Sequence, residues 1–291
     1  MKPTLPTPAE ILDLLPDAVC VVDAEGRFLF VSSSFERILG YSDTDVRGRQ
    51  ILDLVHPEDR GSTINQVEIV MGGAFQRHFR NRYVHKDGHI VDIQWSAQWH
   101  PMHGVRIGIA REVTELRRTE RDLEHRANHD HLTGLPNRHH LLRELQQSID
   151  DATMTGSPLA LLYVDLDGFK AVNDRGGHDA GDRALRAVAE RLKQGVRQGD
   201  LIARMGGDEF VVLMPGCPDV KTARLIANTL RARLGASYPL PDGELTLDAS
   251  FGIACFPADG TDLESLLAHA DRAMYSDKRR RSKRRDLVLA R

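Results

Sequence analysis

The hydrophobic rhythm of the chain changes near its middle. Before residue 114 the apolar positions fall in short, strand-like runs. Residues 18–22 form one such run, Asp23-Ala24-Glu25-Gly26 supply a turn, and residues 27–32 resume the pattern, which predicts a β-hairpin. Phe35, Ile38 and Leu39 then lie at i, i+3 and i+4 on one face of a helix, with Ser32 or Ser33 to cap its start and Gly40 its end. Ile64, Val67 and Met71 predict another short helix, stopped by Gly72-Gly73. Three strands follow at 74–85, 89–99 and 105–111, with turns at Lys86-Asp87-Gly88 and at 101–104.

Residues 114–128 differ from both flanks. They are densely charged, lack Gly and Pro, and carry Leu116, Leu123 and Ala127 at heptad-like spacing. Two heptads allow either a paired helix or a solvated linker helix. Beyond them the elements lengthen. Leu141, Leu142, Leu145 and Ile149 mark a helix, and 159–164 reads as a buried strand ending at Asp165. Ala184, Leu185, Val188, Ala189 and Leu192 mark the next helix, and strands at 201–205 and 210–214 flank Gly206-Gly207. Leu225, Ile226, Leu230 and Leu234 give a helix, 245–256 strand material, and Leu263, Leu266, Leu267, Ala270, Ala273 and Met274 a final helix. The central order βαββαβ predicts a ferredoxin-like sheet with helices on one face. The fold class is therefore α+β or α/β, with an antiparallel five-stranded N-terminal half and a βαββαβ C-terminal half.

Composition narrows the partners more than the fold. A length of 291 residues favours two domains. Lys and Arg number 39 against 42 Asp and Glu, a net charge of −3 that argues against nucleic acid as a partner. The exception is the run 278–285, where only Ser282 is not basic. Cys20, Cys217 and Cys255 lie far apart and form no CxxC pair, so neither a disulfide framework nor a zinc site is expected, and a reducing, cytoplasmic location fits. Residues 1–10 contain three prolines and no apolar core, unlike a signal peptide, and no stretch reaches the roughly 18 apolar residues of a membrane span.

Two motifs carry candidate chemistry. In Asp165-Leu166-Asp167-Gly168-Phe169-Lys170 an apolar strand delivers carboxylates at its end with a lysine shortly after. A strand-terminating Asp turn would look the same, so this motif alone is weak. In Arg204-Met205-Gly206-Gly207-Asp208-Glu209-Phe210 two glycines between strand patterns read as a tight turn that leaves the backbone open to a ligand. Adjacent acids in such a turn repel each other, and a bound cation removes the conflict. Asp165 and Asp208 on neighbouring strands would offer the hard oxygen ligands that Mg²⁺ prefers beside substrate phosphates.

These motifs, together with Asp130-His131-Leu132-Thr133-Gly134-Leu135-Pro136-Asn137-Arg138, Asn173-Asp174, Gly177-His178, Gly181-Asp182, Ser250-Phe251-Gly252-Ile253-Ala254 and Asp271-Arg272-Ala273-Met274-Tyr275, resemble the GGDEF-domain diguanylate cyclases in order and spacing. The resemblance implies condensation of two GTP into cyclic di-GMP with release of two pyrophosphates, dependent on Mg²⁺ (Mn²⁺ being possible). It implies metal binding by Asp165, the Leu166 carbonyl, Asp208 and Glu209. It further implies proton abstraction from the ribose 3′-OH by Asp208, phosphate stabilisation by Lys170, and guanine reading by Asn173 and Asp182. Gly206 and Gly207 would bound the substrate pocket, and Lys278 would contact the terminal phosphates. An Arg-rich run replaces the expected Gly-Arg-Asn downstream, leaving Arg279, Arg280, Arg281 and Lys283 as alternatives to complete the phosphate clamp. Arg197 and Asp200 resemble the family's product-inhibition site, which would bind cyclic di-GMP as an allosteric ligand; an ordinary surface ion pair is the competing reading.

Residues 7–116 resemble a PAS sensor through Leu14-Leu15-Pro16-Asp17-Ala18, His56-Pro57-Glu58-Asp59, residues 81–88, and Gly108-Ile109-Ala110-Arg111-Glu112-Val113-Thr114-Glu115. That fold names no ligand. His56, His78, His85 and His89 are candidate haem ligands, but turn or surface histidines are far commoner. The expected division is a PAS sensor at 7–115, a signalling helix at 116–128 and a cyclase at 129–291, acting as a homodimer. The alternatives are a catalytically silent receptor for GTP or cyclic di-GMP and a nucleic-acid binder driven by the basic run. The intact Asp165, Lys170, Asn173, Asp182, Asp208 and Glu209 favour the enzyme.

Overall fold

A computed structural model describes residues 5–240 and 243–289. The chain divides into two compact units, Met1–Asp122 and Leu123–Arg291. In the first, α1 (Pro8–Leu14) precedes the hairpin β1 (Ala18–Asp23) and β2 (Phe28–Val31), followed by α2 (Ser33–Leu39), α3 (Asp43–Val46) and α4 (Arg60–Met71). Strands β3 (Gln76–Val84), β4 (Ile90–His100) and β5 (Val105–Glu112) complete an antiparallel sheet of order β2-β1-β5-β4-β3. The predicted hairpin, short helices and three strands are all present, with ends shifted by a residue or two.

One face of this sheet is packed and the other is partly open. Phe28, Phe35, Leu39, Ile93 and Trp95 join one core, whereas Phe30, Ile107 and Ile109 stay exposed. Gly40 ends α2 in the left-handed region at φ 75°, and a Cβ there would come within 2.6 Å of the His85 ring, so both conformation and space require glycine. Ser32 occupies the N-cap position of α2, yet its hydroxyl does not cap the helix. It accepts instead from the Val19 N–H of β1 at 3.0 Å, tying helix to sheet.

The highly charged stretch forms one helix, α5 (Thr114–Asn128), on which Leu116 and Leu123 are exposed. The second unit then contains α6 (Arg138–Thr155), β6 (Leu159–Asp167), α7 (Phe169–Lys193), β7 (Leu201–Gly206), β8 (Glu209–Pro215), α8 (Val220–Leu234), the short pair β9 (Tyr238–Leu240) and β10 (Gly243–Leu245), β11 (Asp248–Phe256) and α9 (Leu263–Leu289). Its four-stranded antiparallel sheet has the order β11-β6-β8-β7. The basic run 278–285 lies on α9.

The expectation of helices on one face is corrected here. Leu162, Val164, Val212 and Met214 pack with Val188 and Leu192 of α7 and Ala227 and Leu230 of α8. Leu161, Tyr163, Val211 and Leu213 point the other way and pack with Leu141 and Leu145 of α6 and Leu266 and Met274 of α9. Helices therefore cover both faces. The physical reason lies in β6, whose first eight residues are all buried. A strand solvated on one side would alternate. At about 1.5–3 kcal/mol for each fully buried large aliphatic side chain, the two half-cores hold the sheet edge rigid enough to position charged groups. No helix among the described residues is long and apolar enough to cross a membrane.

Candidate active site

The sheet of the second unit brings the predicted carboxylates together at one end. Antiparallel pairing sets Asp165, near the end of β6, directly opposite Glu209, at the start of β8. The Leu166 N–H donates to the Asp208 carbonyl at 3.3 Å, so the turn after Gly207 folds back over the end of β6. Gly206 and Gly207 both have positive φ, 143° and 55°, as the tight turn requires. No side chain stands between that backbone and solvent, and a Cβ at either glycine would meet nothing within 4 Å.

A second group of contacts, not singled out from the sequence, fixes this turn. Arg204 donates through Nη1 to both carboxylate oxygens of Asp130 at 2.9 and 3.0 Å, and through Nε and Nη2 to the Gly207 carbonyl at 3.1 and 2.8 Å. Asp130 also accepts from the Thr133 N–H and hydroxyl at 2.9 and 2.6 Å. Burial opposes charge on Asp130, but Thr133 and Arg204 hold its carboxyl below the usual aspartate range. Asp130 and Arg204 thus clamp the loop before α6 to the glycine turn. Tyr163 donates its hydroxyl to Glu209 Oε2 at 3.0 Å. Period-two alternation places Tyr163 and Asp165 on the same face of β6, the one signal in the sequence that pointed to this contact.

The electrostatics of the carboxylate group are unbalanced. Burial, and then the adjacent Asp165 carboxylate, push the Asp208 carboxyl above the ordinary aspartate range. Burial, opposed by hydrogen bonds from Ser250 and reinforced by Asp248, does the same to Asp167. Lys278 of α9 answers this charge: its Nζ lies 2.6 Å from Asp165 Oδ1. Burial would lower the lysine's pKa, yet Asp165, with Asp167 and Asp208 beyond it, holds it above the usual range. An ammonium drawn onto a strand-end carboxylate marks a place that favours positive charge. The donor set of hard carboxylate oxygens from Asp165, Asp208 and Glu209 fits a hard divalent cation.

The Arg-rich run divides by helix face. Arg281, three residues after Lys278, contacts Asp248 and lies 3.7 Å from Asp167, so it faces the same rim. Arg280 instead bonds Asp277 at 2.6 Å; Asp277 also accepts from Arg231 and from the Phe251 N–H. Arg279 and Lys283 are exposed and have no ion-pair partner among the described residues. Lys170 is equally apart: it sits on the first turn of α7, exposed and without an ion-pair partner among the described residues.

Helix α7 is broken at Gly177, whose φ of 71° and ψ of 178° reverse the backbone between two helical arms. Asn173 lies on the first arm and Asp182 on the second, both half-buried. Gly181 lets the arms meet, since a Cβ there would fall 2.0 Å from Asn173 Oδ1 and 3.2 Å from Phe169 Cζ. The two residues expected to read guanine are therefore brought into one notch, although 9 positions separate them in the chain.

Arg197 and Asp200 form an ion pair, with Nε to Oδ1 at 3.0 Å, and Arg197 Nη2 also donates to the Pro215 carbonyl at 2.5 Å. Asp200 is buried beneath an arginine that remains exposed. In the first unit, His85 and His89 stack at a hairpin turn against Asp87, with ring centroids 4.2 Å apart.

Residues 127–284 match the family described as diguanylate cyclase, GGDEF domain, and residues 8–104 match the PAS fold. The chain is 46% identical over 166 residues to the bifunctional diguanylate cyclase/cyclic di-GMP phosphodiesterase MucR of Pseudomonas aeruginosa, covering 57% of this chain and 24% of that protein. A solved sensory box/GGDEF family protein from Caulobacter crescentus is 40% identical, with a TM-score of 0.51, over 52% of this chain and 98% of the other. The coiled coil and GGDEF domain of DgcB from the same organism, solved in complex with c-di-GMP, is 27% identical with a TM-score of 0.53 over 57% and 88% of the two chains. The chain spans from 21% to 36% of the length of the curated relatives it matches.

Proposed function

Since the chain belongs to the GGDEF diguanylate cyclase family and carries a PAS fold ahead of that domain, we propose that it condenses two GTP into cyclic di-GMP under the control of a sensor at 7–115, acting through a helix at 116–128 on a cyclase at 129–291. One observation carries the reading. Asp165, Asp208 and Glu209 stand at a single strand end, with Lys278 and Arg281 supplying positive charge to the same rim.

Asp165, Asp208 and Glu209 would hold Mg²⁺ or Mn²⁺, with the Leu166 carbonyl as a further ligand. The bound ion would neutralise triphosphate charge and polarise the phosphorus under attack. The chain's own residues do the rest. Asn173 and Asp182 orient guanine, and an aspartate accepting two N–H bonds distinguishes it from adenine. The open backbone at Gly206 and Gly207 admits the phosphates. Lys278 exchanges its contact with Asp165 for the terminal phosphates, joined by Arg281, and Lys170 approaches the reacting phosphate by rotating its unpaired side chain. Asp208 takes the 3′-OH proton on a carboxylate oxygen. Arg197 and Asp200 would bind the product as an inhibitor. The buried Asp200 pre-positions the exposed guanidinium, and the related DgcB was solved with c-di-GMP.

One domain offers one GTP pocket, yet the product contains two phosphodiester bonds. A two-fold homodimer with opposed pockets satisfies both bonds with one arrangement. The enzymatic reading is tested by pyrophosphate release. GTP with Mg²⁺ should release it, and EDTA or replacement of GTP by ATP should stop it. GTP bound tightly with no pyrophosphate released would move the chain to the receptor reading.

A further inference from the structure

The first unit has a half-open cavity of about 60 Å³ between the inner face of its sheet and α4, lined by Val22, Phe28, Val67, Trp95 and Ala97 among others. Into this apolar wall projects Arg106, only 6% exposed. Its Nη1 is buried without a hydrogen-bond partner. Among the described residues no carboxylate lies within ion-pair distance of it. Other buried polar groups nearby are satisfied: Asn81 donates to the Thr63 hydroxyl at 2.9 Å and accepts from Trp95 Nε1 at 3.0 Å. Arg82, on the outer row of β3, is paired with Asp59 at 2.6 Å. Arg106 shares its unmet state with one neighbour on the cavity wall, Gln66, whose Oε1 is also buried and unpartnered.

A guanidinium cannot escape burial by losing its proton, and an unpaired buried charge is strongly unfavourable. Burial does depress Arg106 below the ordinary arginine range, with Cys20, Tyr83 and Asp23 opposing the shift. We propose that this cavity is a receptor site for a small organic carboxylate, whose oxygens pair with Arg106 while its alkyl part meets the apolar wall. The volume sets the size: at about 10–15 Å³ for each water-sized occupant it takes about four to six heavy atoms, which suits acetate or propionate. The surrounding Val, Phe and Trp side chains favour an alkyl-bearing anion over a fully hydrated inorganic one. Gln66 can offer either its oxygen or its amide N–H₂ to the same ligand by turning its amide.

The test uses the full chain at constant ionic strength, with acetate, propionate and butyrate set against acetamide and propionamide. Trp95 lines the cavity, so tryptophan fluorescence reports occupancy, and thermal unfolding reports linkage. The carboxylates should give a saturable fluorescence change and raise the unfolding temperature of the first unit; the neutral amides should do neither. Arg106→Gln should weaken the carboxylate midpoint by at least about tenfold, the loss of one charge-assisted bidentate contact. Ala97→Leu, which fills the cavity and leaves Arg106 in place, should do the same and keeps the test decisive if Arg106→Gln fails to fold. The proposal is overturned if no carboxylate gives a saturable change below about 10 mM, a midpoint too weak for a built site. It is equally overturned if the amides match the carboxylates, or if both variants respond like the parent.

Discussion

The two units handle polar groups in opposite ways. In the second, β6 is buried along eight consecutive residues, and its charged groups wait at the strand end, where Asp165 faces Glu209. In the first, β5 alternates between buried and exposed positions, and the residues turned inward include Arg106, near the buried Asn81 and Thr63. Rim chemistry can be changed without reaching into the core, because the hydrophobic layers close behind it. Interior chemistry is part of the core, so altering it alters stability as well. Function and stability should therefore separate in the second unit and coincide in the first.

The largest effect that would sharpen this contrast is Asp208→Asn. The turn geometry is kept while charge is lost where a divalent ion needs it, so turnover of GTP should fall at least about 10²-fold with little change in unfolding temperature. Near-normal synthesis by this variant would remove Asp208 from the site. Asn81→Ala should show the reverse. It strands the Trp95 N–H inside the first unit and removes a donor from the Thr63 hydroxyl, which keeps its bond to the Asp59 carbonyl, at a cost of about 1–3 kcal/mol in denaturant unfolding. GTP turnover measured well below the unfolding transition should stay within a few fold. A neutral effect on stability would mean that water replaces the amide, and the two units would then differ less than argued. The smallest effect on rate belongs to Arg197→Ala. Initial velocity should hardly change, because the Arg197–Asp200 pair lies on its own loop after α7. Progress curves should nevertheless stay linear to higher product, since the guanidinium that would grip product phosphate is gone. Unaltered inhibition by added cyclic di-GMP would refute the Arg197 site and leave an ordinary surface ion pair.

The same contrast decides what could be read from the sequence. The rim residues were legible because strand-end acids and paired glycines interrupt an apolar pattern, and their order and spacing match a family. The burial of both sheet faces is also written in the unbroken run 159–164, whereas the ferredoxin-like order by itself implies one helical layer. The clamp of Asp130 on Arg204 was not legible, because it joins positions 74 residues apart that only the β7–β8 turn brings together. Nor is the facing of the Arg-rich run legible in one dimension. Helical phase settles which side chains face the rim, and Arg281 shares a face with Lys278.

Arg106 was hidden for a further reason. In Arg106-Ile107-Gly108-Ile109-Ala110 a period-two reading turns the isoleucines inward and the arginine outward. The strand does the opposite: Ile107 and Ile109 are 41% and 45% exposed. Packing explains the inversion. A Cβ at Gly108 would already lie 3.1 Å from both Cys20 Sγ and the Trp95 ring, so the inner row of β5 has room only for the smallest residues beneath that indole. The bulkier row faces out, and Arg106 is carried inward by register alone.

Identification of the reaction product decides between a cyclase and a nucleotide receptor. Purified chain incubated with GTP and Mg²⁺ should yield a species with the mass of cyclic di-GMP and one pyrophosphate for each GTP consumed. Specific activity should rise with protein concentration as opposed pockets pair. Stoichiometric GTP binding with no cyclic product at any concentration would contradict the claim and leave the strand-end carboxylates as part of a nucleotide receptor.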